Sequence, residues 1–582
     1  MAVQPLIDLP AGWPAMTTEQ VRGLLTAPGA RFEMEEVAIR GVLTRVWRNA
    51  PPSLPFLLAA TRAHGDRAIT VYEEERVSYE ANFRAAAAIA AHLVALGVKK
   101  GDRVALAMRN LPEWVAIFFA ITAAGAIAVP LNAWWTGPEL EYGLADSGAT
   151  VAFVDDERHE RLAQGYSRLP ELRTVIVARA RSPLNGHAQR LEDVTGTPND
   201  WARLPDQALP DAAIVPDDDA TILYTSGTTG EPKGALGTHR NLMTNILSSG
   251  YTGARTLLRR GEVPPAAPEP KVFLTVIPLF HATALSATLM GAMASGSTLV
   301  LMRKWDTARA MELIERERVQ VTGGVPTIAW QLLEHPDRAR YDLSSLETIA
   351  YGGAPSAPDL VRRIHAEFGA LPGNGWGMTE TTATVTGISA EDYLNRPTSA
   401  GLPVAAADLK VMDEEGAREL PAGEVGELWA RGPMIVRGYW NKPEASAETF
   451  IDGWVRTGDL ARLDEEGFVY IVDRAKDMII RGGENIYSTE VENCLYAHPA
   501  VTDCALVGVP HRTLGEEPAA VVHLRPGAQA TEAELQNWVR DHLAAFKVPV
   551  AIRFVPDTLP RNANGKILKR ELKELFEDRA AA

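Results

Sequence analysis

Cysteine is almost absent from this sequence. Its 582 residues include only Cys494 and Cys504, which are ten positions apart and form no CxxC pair. So low a count excludes a disulfide scaffold, argues against structural zinc and is typical of a reducing compartment. The first residues, MAVQPLIDLPAGWPAM, lack the basic region of a secretory signal and are interrupted by three prolines. We therefore expect a cytoplasmic location.

Basic residues and long apolar runs are also scarce. Lysine and arginine number 58 against 74 aspartates and glutamates, and the formal charge of −16 excludes a surface that coats nucleic acid. The longest apolar run, 114–131, contains a glycine and ends in Pro-Leu-Asn. We interpret it as a buried helix leading into a strand, not as a membrane span. No repeat or low-complexity tract indicates a scaffolding protein.

Helical and strand-like patterns alternate along most of the chain. The helical segment FRAAAAIAAHLVALG precedes the strand-like RVALAM, and the same rhythm runs from VFLTVIPLF to LETIAYGGAP. This alternation predicts a large doubly wound α/β sheet. Four prolines make 259–271 a surface loop. After residue 473 the segments CALVGVP and AAVVHLR, and a helix with a capping-box spacing from Thr531 to Glu534, predict a small α+β domain.

A loop able to wrap phosphates follows the strand-like ATILYTS. The segment SGTTGEPKG at 226–234 combines glycines, whose backbone N–H groups can approach oxygens closely, with hydroxyl side chains and the positive charge of Lys233. A Walker P-loop would require glycine where Pro232 follows Glu231, so that interpretation fails.

YTSGTTGEPKG resembles the phosphate-binding signature of the adenylate-forming superfamily, which includes acyl-CoA synthetases, aryl acid ligases, luciferases and peptide-synthetase adenylation domains. Further family-like motifs follow in order: YGGAP at 351–355, GWGMTE at 375–380, GWVRTGD at 453–459, DRAKDMIIRGGENIYSTEVE at 473–492 and LPRNANGKILKREL at 559–572. The resemblance spans about residues 55–572. It implies an α/β fold with a large N-terminal AMP-binding domain of packed mixed and parallel sheets with helices, 1–473, and a small mobile C-terminal α+β domain, 474–582. Residues 1–50 form an extension with no assigned role.

The resemblance also implies a nucleotide site. Its Trp376 would flank the adenine, Thr379 would contact the α-phosphate, and Glu380 would hold Mg²⁺, a hard cation that prefers oxygen ligands. Asp459 would accept hydrogen bonds from the ribose hydroxyls, and Arg474 would bind ribose or phosphate. The full ATP and AMP set implied in this way is Thr225, Ser226, Gly227, Thr228, Thr229, Gly230, Lys233, Gly352, Gly353, Ala354, Trp376, Gly377, Met378, Asp459 and Arg474.

The C-terminal motifs imply a moving catalytic group. Lys566 matches the adenylation lysine, whose ammonium suits the negative charge that gathers at the α-phosphate and the carboxylate oxygen. Lys476 matches the hinge about which the small domain turns, while Gly482 and Gly483 would line the pantetheine tunnel for coenzyme A. Basic residues outnumber acidic ones seven to two between 546 and 573, which reverses the overall charge locally.

Ligands of α/β sheets collect at the carboxyl ends of strands, which makes His281, Gly323 and Val325 candidates for the acyl pocket. His281 matches a family position near the substrate carboxylate and is a candidate catalytic residue; a buried structural histidine is the alternative. Residues 280–284, FHATA, include no acid to pair with a substrate ammonium, which disfavours an amino acid. The apolar neighbours, and the similarity of LNAWWTGPELEY at 132–143 to bacterial fatty acyl-CoA synthetases, favour a hydrophobic acid such as a fatty acid.

The expected activity is therefore that of an ATP-dependent acyl-CoA synthetase using ATP, Mg²⁺ and coenzyme A. Alternatives on the same fold are an aryl or other carboxylic acid–CoA ligase, an acyl-AMP ligase that transfers to a carrier protein, and, remotely, luciferase chemistry. A non-catalytic nucleotide sensor is the alternative from another class. The expected partners are small molecules, with no nucleic acid and no membrane span; a homodimer is one option for the assembly.

Overall fold

The computed structural model describes residues 12–181, 183–184, 186, 188–225, 231–352, 358–525, 527–562 and 566–576. The α-helices within these ranges are α1 Thr18–Leu25, α2 Leu54–Ala60, α3 Tyr79–Ala95, α4 Pro112–Ala123, α5 Gly137–Ser147, α6 Asp156–Leu162, α7 Glu192–Thr195, α8 His239–Arg259, α9 Met290–Ser295, α10 Thr307–Glu317, α11 Pro326–Glu334, α12 Pro358–Phe368, α13 Ala390–Asn395, α14 Pro443–Thr449, α15 Ser488–Tyr496, α16 Glu532–His542 and α17 Lys569–Lys573.

The strands are β1 Met34–Ile39, β2 Val42–Trp47, β3 Ala68–Tyr72, β4 Glu75–Ser78, β5 Arg103–Ala107, β6 Ile127–Pro130, β7 Val151–Asp155, β8 Thr174–Ala178, β9 Ala188–Arg190, β10 Asp219–Tyr224, β11 Gly234–Thr238, β12 Val272–Thr275, β13 Thr298–Leu301, β14 Val321–Gly324, β15 Thr348–Gly352, β16 Leu371–Trp376, β17 Thr386–Ser389, β18 Leu402–Pro403, β19 Asp408–Met412, β20 Gly426–Arg431, β21 Phe450–Ile451, β22 Trp454–Leu463, β23 Val469–Arg474, β24 Ile479–Arg481, β25 Glu484–Ile486, β26 Val501–His511, β27 Gly515–Leu524 and β28 Ile552–Phe554.

Two large sheets form most of the N-terminal region. One has the order β11-β10-β6-β5-β7-β8-β9, and the other has the order β18-β17-β16-β15-β14-β12-β13-β3-β4. Both are parallel through their centres and antiparallel at an edge, as in β10 with β11 and in β16 with β17. The packed mixed and parallel sheets that the resemblance implies are confirmed. The single doubly wound sheet predicted from the alternating pattern alone was wrong, because that pattern sets each βα unit but not which edge the next strand joins.

Helices α3 and α4 fill the core beside these sheets. The side chain of Ser78 caps the start of α3 by accepting a hydrogen bond from the Ala81 N–H, and alanines make up half of the buried residues of this helix. Every residue of α4 is buried, and the rings of Trp114 and Phe118 stack 5.3 Å apart. The apolar run is therefore a buried helix followed by a strand, as predicted. No helix in the described ranges is both long and apolar enough to cross a membrane.

A third, antiparallel sheet closes the large region. Strands β19, β20, β22 and β21 lie side by side, and β23 pairs with β22. The N-terminal segment packs against this region: Arg40 donates to the carbonyl oxygens of Ile435 and Val436, and Trp47 donates to Ser248. The N-terminal extension, which had no assigned role, thus contacts the large region through Arg40 and Trp47.

The C-terminal sheet is separate and has the order β25-β24-β27-β26, with β28 beside β27. Helix α16 begins at a capping box, in which Thr531 and Glu534 exchange hydrogen bonds as the spacing predicts. The Pro-rich stretch between α8 and β12 contains no regular element, and Val263 within it is 89% exposed.

Candidate active site

The phosphate loop is held at the end of a β-hairpin. Strands β10 and β11 pair in antiparallel register, with Tyr224 opposite Gly234. Beyond them the Thr225 N–H donates to the carbonyl of Lys233 (2.9 Å), and the Lys233 N–H donates to Oγ1 of Thr225 (3.1 Å). These bonds close the loop at its base. The predicted phosphate ligands Ser226, Gly227, Thr228, Thr229 and Gly230 lie outside the described residues.

Tyr439 connects this loop to the predicted magnesium ligand. Its hydroxyl donates a 2.6 Å hydrogen bond to Oε1 of the buried Glu380, while Nζ of Lys233 lies 4.9 Å from the centre of its ring. Burial and the neighbouring carboxylate raise the pKa of Tyr439, which keeps its proton available for donation. The described hydrogen bond of this carboxylate goes to Oε1. A buried carboxylate oxygen beside a phosphate loop fits Mg²⁺.

The turn that carries Thr379 and Glu380 has a strained backbone. Thr379–Thr381 form one 3-10 turn, and Thr382 and Ala383 follow with φ of 50° and 79°, in the left-handed region that non-glycine residues avoid. Asn245 of α8 holds this turn by donating to the Thr382 carbonyl (2.7 Å) and accepting from the Thr384 N–H (3.1 Å). Strain supported by a buried amide in this way is characteristic of functional turns.

Close backbone approach explains the glycine before this turn. A Cβ atom built on Gly377 would lie 1.3 Å from the carbonyl oxygen of Ala383, so only glycine fits. The neighbouring Met378 N–H donates to Oγ1 of Thr381 (2.9 Å). Gly352 ends β15 opposite Gly375, and the predicted residues Gly353 and Ala354 lie outside the described residues.

Trp376, Asp459 and Arg474 form one cluster. The indole Nε1 of Trp376 donates to Oδ2 of Asp459 (2.8 Å), and Nε of Arg474 lies 3.3 Å from Oδ1 of the same carboxylate. Asp459 and Arg474 face each other across β22 and β23. A buried carboxylate fixed at both oxygens presents a defined geometry to a diol. The structure therefore brings together three residues predicted from three separate motifs.

Lys566 belongs to the small domain and reaches the same region. Its N–H donates to Oδ1 of Asn562 (3.0 Å) at the edge of the loop that carries it. Burial, and to a lesser degree the positive charge of Arg474, lower the pKa of its ammonium to about 8, while Asp459 and Glu380 oppose this shift. The ammonium is therefore within electrostatic range of the predicted ribose and magnesium ligands.

His281 is within electrostatic range of Lys566. Burial, together with the Lys566 charge, lowers the pKa of His281 to about 4, so the ring is neutral at pH 7. Its Nδ1 accepts from the Thr283 N–H (3.3 Å), at the start of a π-helical stretch, Thr283–Leu289. Strand β12 is shorter than the apolar segment VFLTVIPLF, because it ends at Thr275 and leaves His281 in the following turn.

The other predicted acyl-pocket residues lie where β14 meets α11. A Cβ atom on Gly323 would lie 1.8 Å from the Ala350 carbonyl oxygen of the adjacent strand, so a side chain is excluded. Val325 directly precedes α11. A Cβ atom on the neighbouring Gly324 would lie 2.6 Å from Cδ1 of Ile328 and 3.3 Å from Cγ2 of Val276, so the surroundings are apolar.

The predicted hinge and pantetheine residues lie on exposed turns. Lys476 is exposed between β23 and β24, the first strand of the small sheet. Gly482 and Gly483 form the tip between β24 and β25, with φ of 59° and 91°. In the part of the chain that the structure describes, no hydrogen bond joins this tip to the nucleotide residues, so both roles stay predictions.

Two residues of the site were not predicted. Tyr439 lies in the segment RGYWN, and Asn245 lies within helix α8. Neither residue belongs to one of the family-like motifs. Their contacts join positions about 60 and 140 residues apart in sequence, Tyr439 to Glu380 and Asn245 to Thr382. An aromatic residue next to a glycine was the only available signal for Tyr439.

Comparison with known proteins identifies the family of this chain. The model of the AMP-binding enzyme family matches residues 57–440, and that of the AMP-binding enzyme C-terminal domain matches residues 490–566. A feruloyl-CoA synthase from Amycolatopsis is 38% identical over 88% of this chain and 95% of its own length. A long-chain-fatty-acid–CoA ligase from Bacillus subtilis is 33% identical over 84% of this chain and 88% of its own length.

Solved structures give the same result for the fold. An anthranilate CoA ligase in complex with anthranoyl-AMP superposes with a TM-score of 0.81 at 27% identity, covering 91% of this chain and 98% of its own. The o-succinylbenzoate CoA synthetase of Bacillus subtilis, in complex with its acyl-adenylate, gives a TM-score of 0.71 at 29% identity, covering 90% and 98%. The two-domain α/β architecture is thus shared with acyl-CoA ligases, and the chain belongs to the AMP-binding enzyme family as an acid–thiol ligase.

Proposed function

We propose that this enzyme activates a hydrophobic carboxylic acid with ATP and transfers the acyl group to coenzyme A. The observation that carries the proposal is that Glu380, held by Tyr439, and Asp459, held by Trp376 and Arg474, both lie within electrostatic range of Lys566. Together they supply an ammonium, a metal-binding carboxylate and a diol-binding carboxylate. A nucleotide undergoing attack at its α-phosphate requires all three.

In the first half-reaction a carboxylate oxygen of the acid attacks the α-phosphorus, and the bond from that phosphorus to the bridging oxygen of pyrophosphate breaks. Lys566 stabilises the charge that develops between the two reacting groups. Asp459, fixed by Trp376 and Arg474, holds the ribose, while Lys233 contacts the outgoing phosphates. Glu380 would hold Mg²⁺, which supplies positive charge to the phosphate oxygens when bound.

In the second half-reaction the thiol sulfur of coenzyme A attacks the acyl carbonyl, and the bond to AMP breaks. The charge between carboxylate and α-phosphate that required Lys566 is no longer developing, because the acyl–phosphate bond has formed and pyrophosphate has left. We propose that the small domain turns near Lys476 between the halves, with Gly482 and Gly483 beside the pantetheine arm. The exposure of this turn, between the last strand of the large region and the first strand of the small sheet, supports the hinge role.

We propose that the acid binds near His281, Gly323 and Val325, with a fatty acid as the first candidate. The apolar contacts of Val276 and Ile328 around Gly324 support a hydrophobic acyl group. A neutral His281 contributes no charge of its own to the substrate carboxylate. An aryl acid is the second candidate, favoured by the similarity to a feruloyl-CoA synthase and to an anthranilate CoA ligase.

The proposal is tested with purified enzyme, ATP, Mg²⁺ and a panel of saturated fatty, hydroxycinnamic, benzoic and branched acids. Pyrophosphate release identifies the activated acids, and mass spectrometry with either coenzyme A or a pantetheinylated carrier protein identifies the acceptor. We expect acid-dependent pyrophosphate release and a coenzyme A thioester with at least one hydrophobic acid. The proposal would be refuted if the acyl group were transferred only to the carrier protein. It would also be refuted if no acid of the panel produced pyrophosphate release.

A further inference from the structure

The small domain also contacts the large domain at a point remote from the hinge. Arg525, immediately after β27, places Nη1 3.1 Å from Oε1 of Glu334, the last residue of α11. Its guanidinium carbon lies 5.7 Å from the ring centre of Trp330, one turn earlier on the same helix. An ion pair and a cation–π contact therefore meet at one arginine.

The large domain holds the acceptor for this arginine in place. Arg363 of α12 lies 3.2 Å from the same carboxylate oxygen of Glu334 and 5.1 Å from the ring centre of Trp330. Arg525 is fixed on its own side as well, because its backbone N–H donates to the Ala500 carbonyl (2.9 Å). Both halves of the contact are thus positioned within their own domains and meet without rearrangement.

Helix α11 connects this contact to the proposed acyl site. The helix begins at Pro326, directly after Val325, and ends at Glu334. The small domain is therefore docked on the far end of the helix whose first residue adjoins the acyl pocket. Near the hinge the domains are joined by the chain itself and by Ser488 of α15, which donates to the Asp473 carboxylate of β23. The Arg525 contact adds a second point, remote from these, that restricts the orientation of the small domain.

We infer that Arg525 is a positioning residue for adenylate formation, which docks the small domain on Glu334 and Trp330 in the orientation that brings Lys566 beside Glu380 and Asp459. The inference rests on the proposed two-step function. The side chains of Arg525 and Glu334 are 33% and 25% exposed, so the contact is weak enough to break in every cycle. Thioester formation does not need Lys566 in the site and should not depend on this contact.

The test compares Arg525→Gln with Arg540→Gln in the full-length enzyme. Arg540 is an exposed arginine of α16 whose described hydrogen bond is to Asn537 of the same helix, which makes it a matched control. Acid-dependent ATP–pyrophosphate exchange measures adenylation, and conversion of supplied acyl-adenylate with coenzyme A measures thioester formation. We expect Arg525→Gln to lose about 3- to 30-fold in exchange, the range for one partly exposed ion pair and one cation–π contact, with thioester formation within twofold of wild type.

Two further variants separate docking from general damage. Arg525→Lys, which keeps the charge but not the planar guanidinium, should lose less exchange activity, and Trp330→Leu, from the other domain, should lose exchange selectively. Equal losses in both half-reactions, or unchanged exchange in Arg525→Gln and Trp330→Leu, would overturn the inference. If Arg525→Gln does not fold, Arg525→Lys and Trp330→Leu decide the question, by the ratio of their loss in exchange to their loss in thioester formation. Failure of the proposed function is distinct, because the wild-type enzyme would then show neither half-reaction.

Discussion

The indole of Trp376 and the carboxylate of Asp459 are joined by a 2.8 Å hydrogen bond between Nε1 and Oδ2. The aromatic residue expected to flank the adenine thus also orients the group expected to bind the ribose. Because Arg474 approaches the other carboxylate oxygen, Asp459 is fixed before any nucleotide arrives. Preorganisation of this kind removes part of the entropic cost of binding.

Trp376→Phe keeps an aromatic face for the adenine but removes the N–H donor. We expect kcat/KM for ATP to fall about 3- to 30-fold, mainly through KM, since a hydrogen bond to a charged group is worth about 1.5–3 kcal/mol and Arg474 still orients Asp459. Trp305→Phe, which removes an indole donor to Gln331 elsewhere, is the control. A matching rise in KM for both variants would contradict the orienting role of Trp376.

Lys566 should give the adenylation step a characteristic pH dependence. Burial lowers the pKa of Lys566 to about 8, so its side chain is charged below pH 8 and loses its proton as the pH rises above 8. We expect kcat/KM for ATP to fall roughly tenfold per pH unit above that value. Lys566→Arg, whose guanidinium stays charged, should have a flat profile over pH 7–9. A falling limb that persists in Lys566→Arg would assign the titration to another group.

Removing the charge of Lys566 should affect only one half-reaction. We expect Lys566→Ala to lose at least about 10²-fold in acid-dependent pyrophosphate exchange, as for a deleted transition-state donor. Conversion of supplied acyl-adenylate to thioester should be retained. Comparable losses in adenylation and in thioester formation would show that Lys566 contributes to the stability of the enzyme, or that both steps use one arrangement of the two domains.

Tyr439→Phe tests the hydroxyl that contacts Glu380. Without this donor the carboxylate is less well positioned, and we expect the Mg²⁺ concentration at half-maximal rate to rise about 3- to 10-fold, since a hydrogen bond contributes about 1 kcal/mol. Tyr470→Phe, which removes a 3.2 Å hydrogen bond to Asp464 away from the site, should leave it unchanged. An unchanged magnesium requirement in Tyr439→Phe would mean that Glu380 needs no such partner.

Gly377→Ala tests the close approach of the Thr379–Thr381 turn. The added methyl group would lie 1.3 Å from a backbone oxygen that cannot move aside without unwinding the turn, so we expect a loss of about 3 kcal/mol in the free energy of unfolding. Gly253→Ala within α8, where no atom lies within 4 Å, should instead be neutral or stabilise by about 0.5–1 kcal/mol. Denaturant titration measures the free energy of unfolding of both variants. Equal denaturation midpoints for Gly377→Ala and Gly253→Ala would refute the steric argument.

Local patterns predicted the elements of this molecule better than their assembly. The apolar run at 114–131 and the capping box at Thr531 form as expected, because each depends on residues a few positions apart. The resemblance implied several packed sheets, but which strands belong to which sheet was not predicted, because it depends on contacts between distant segments. The contiguous motifs likewise identified Asp459, Arg474 and Trp376, whereas Tyr439 and Asn245 act through partners far along the chain and carry no local signature.

The pairing of Asp459 with Arg474 across β22 and β23 has a kinetic consequence. Both strands belong to the sheet of the large region, and both residues precede Lys476. A swing of the small domain about that residue would remove Lys566 but leave the ribose-binding pair intact. The nucleotide would then stay bound between adenylation and thioester formation. Pyrophosphate would be the first product to leave and AMP among the last.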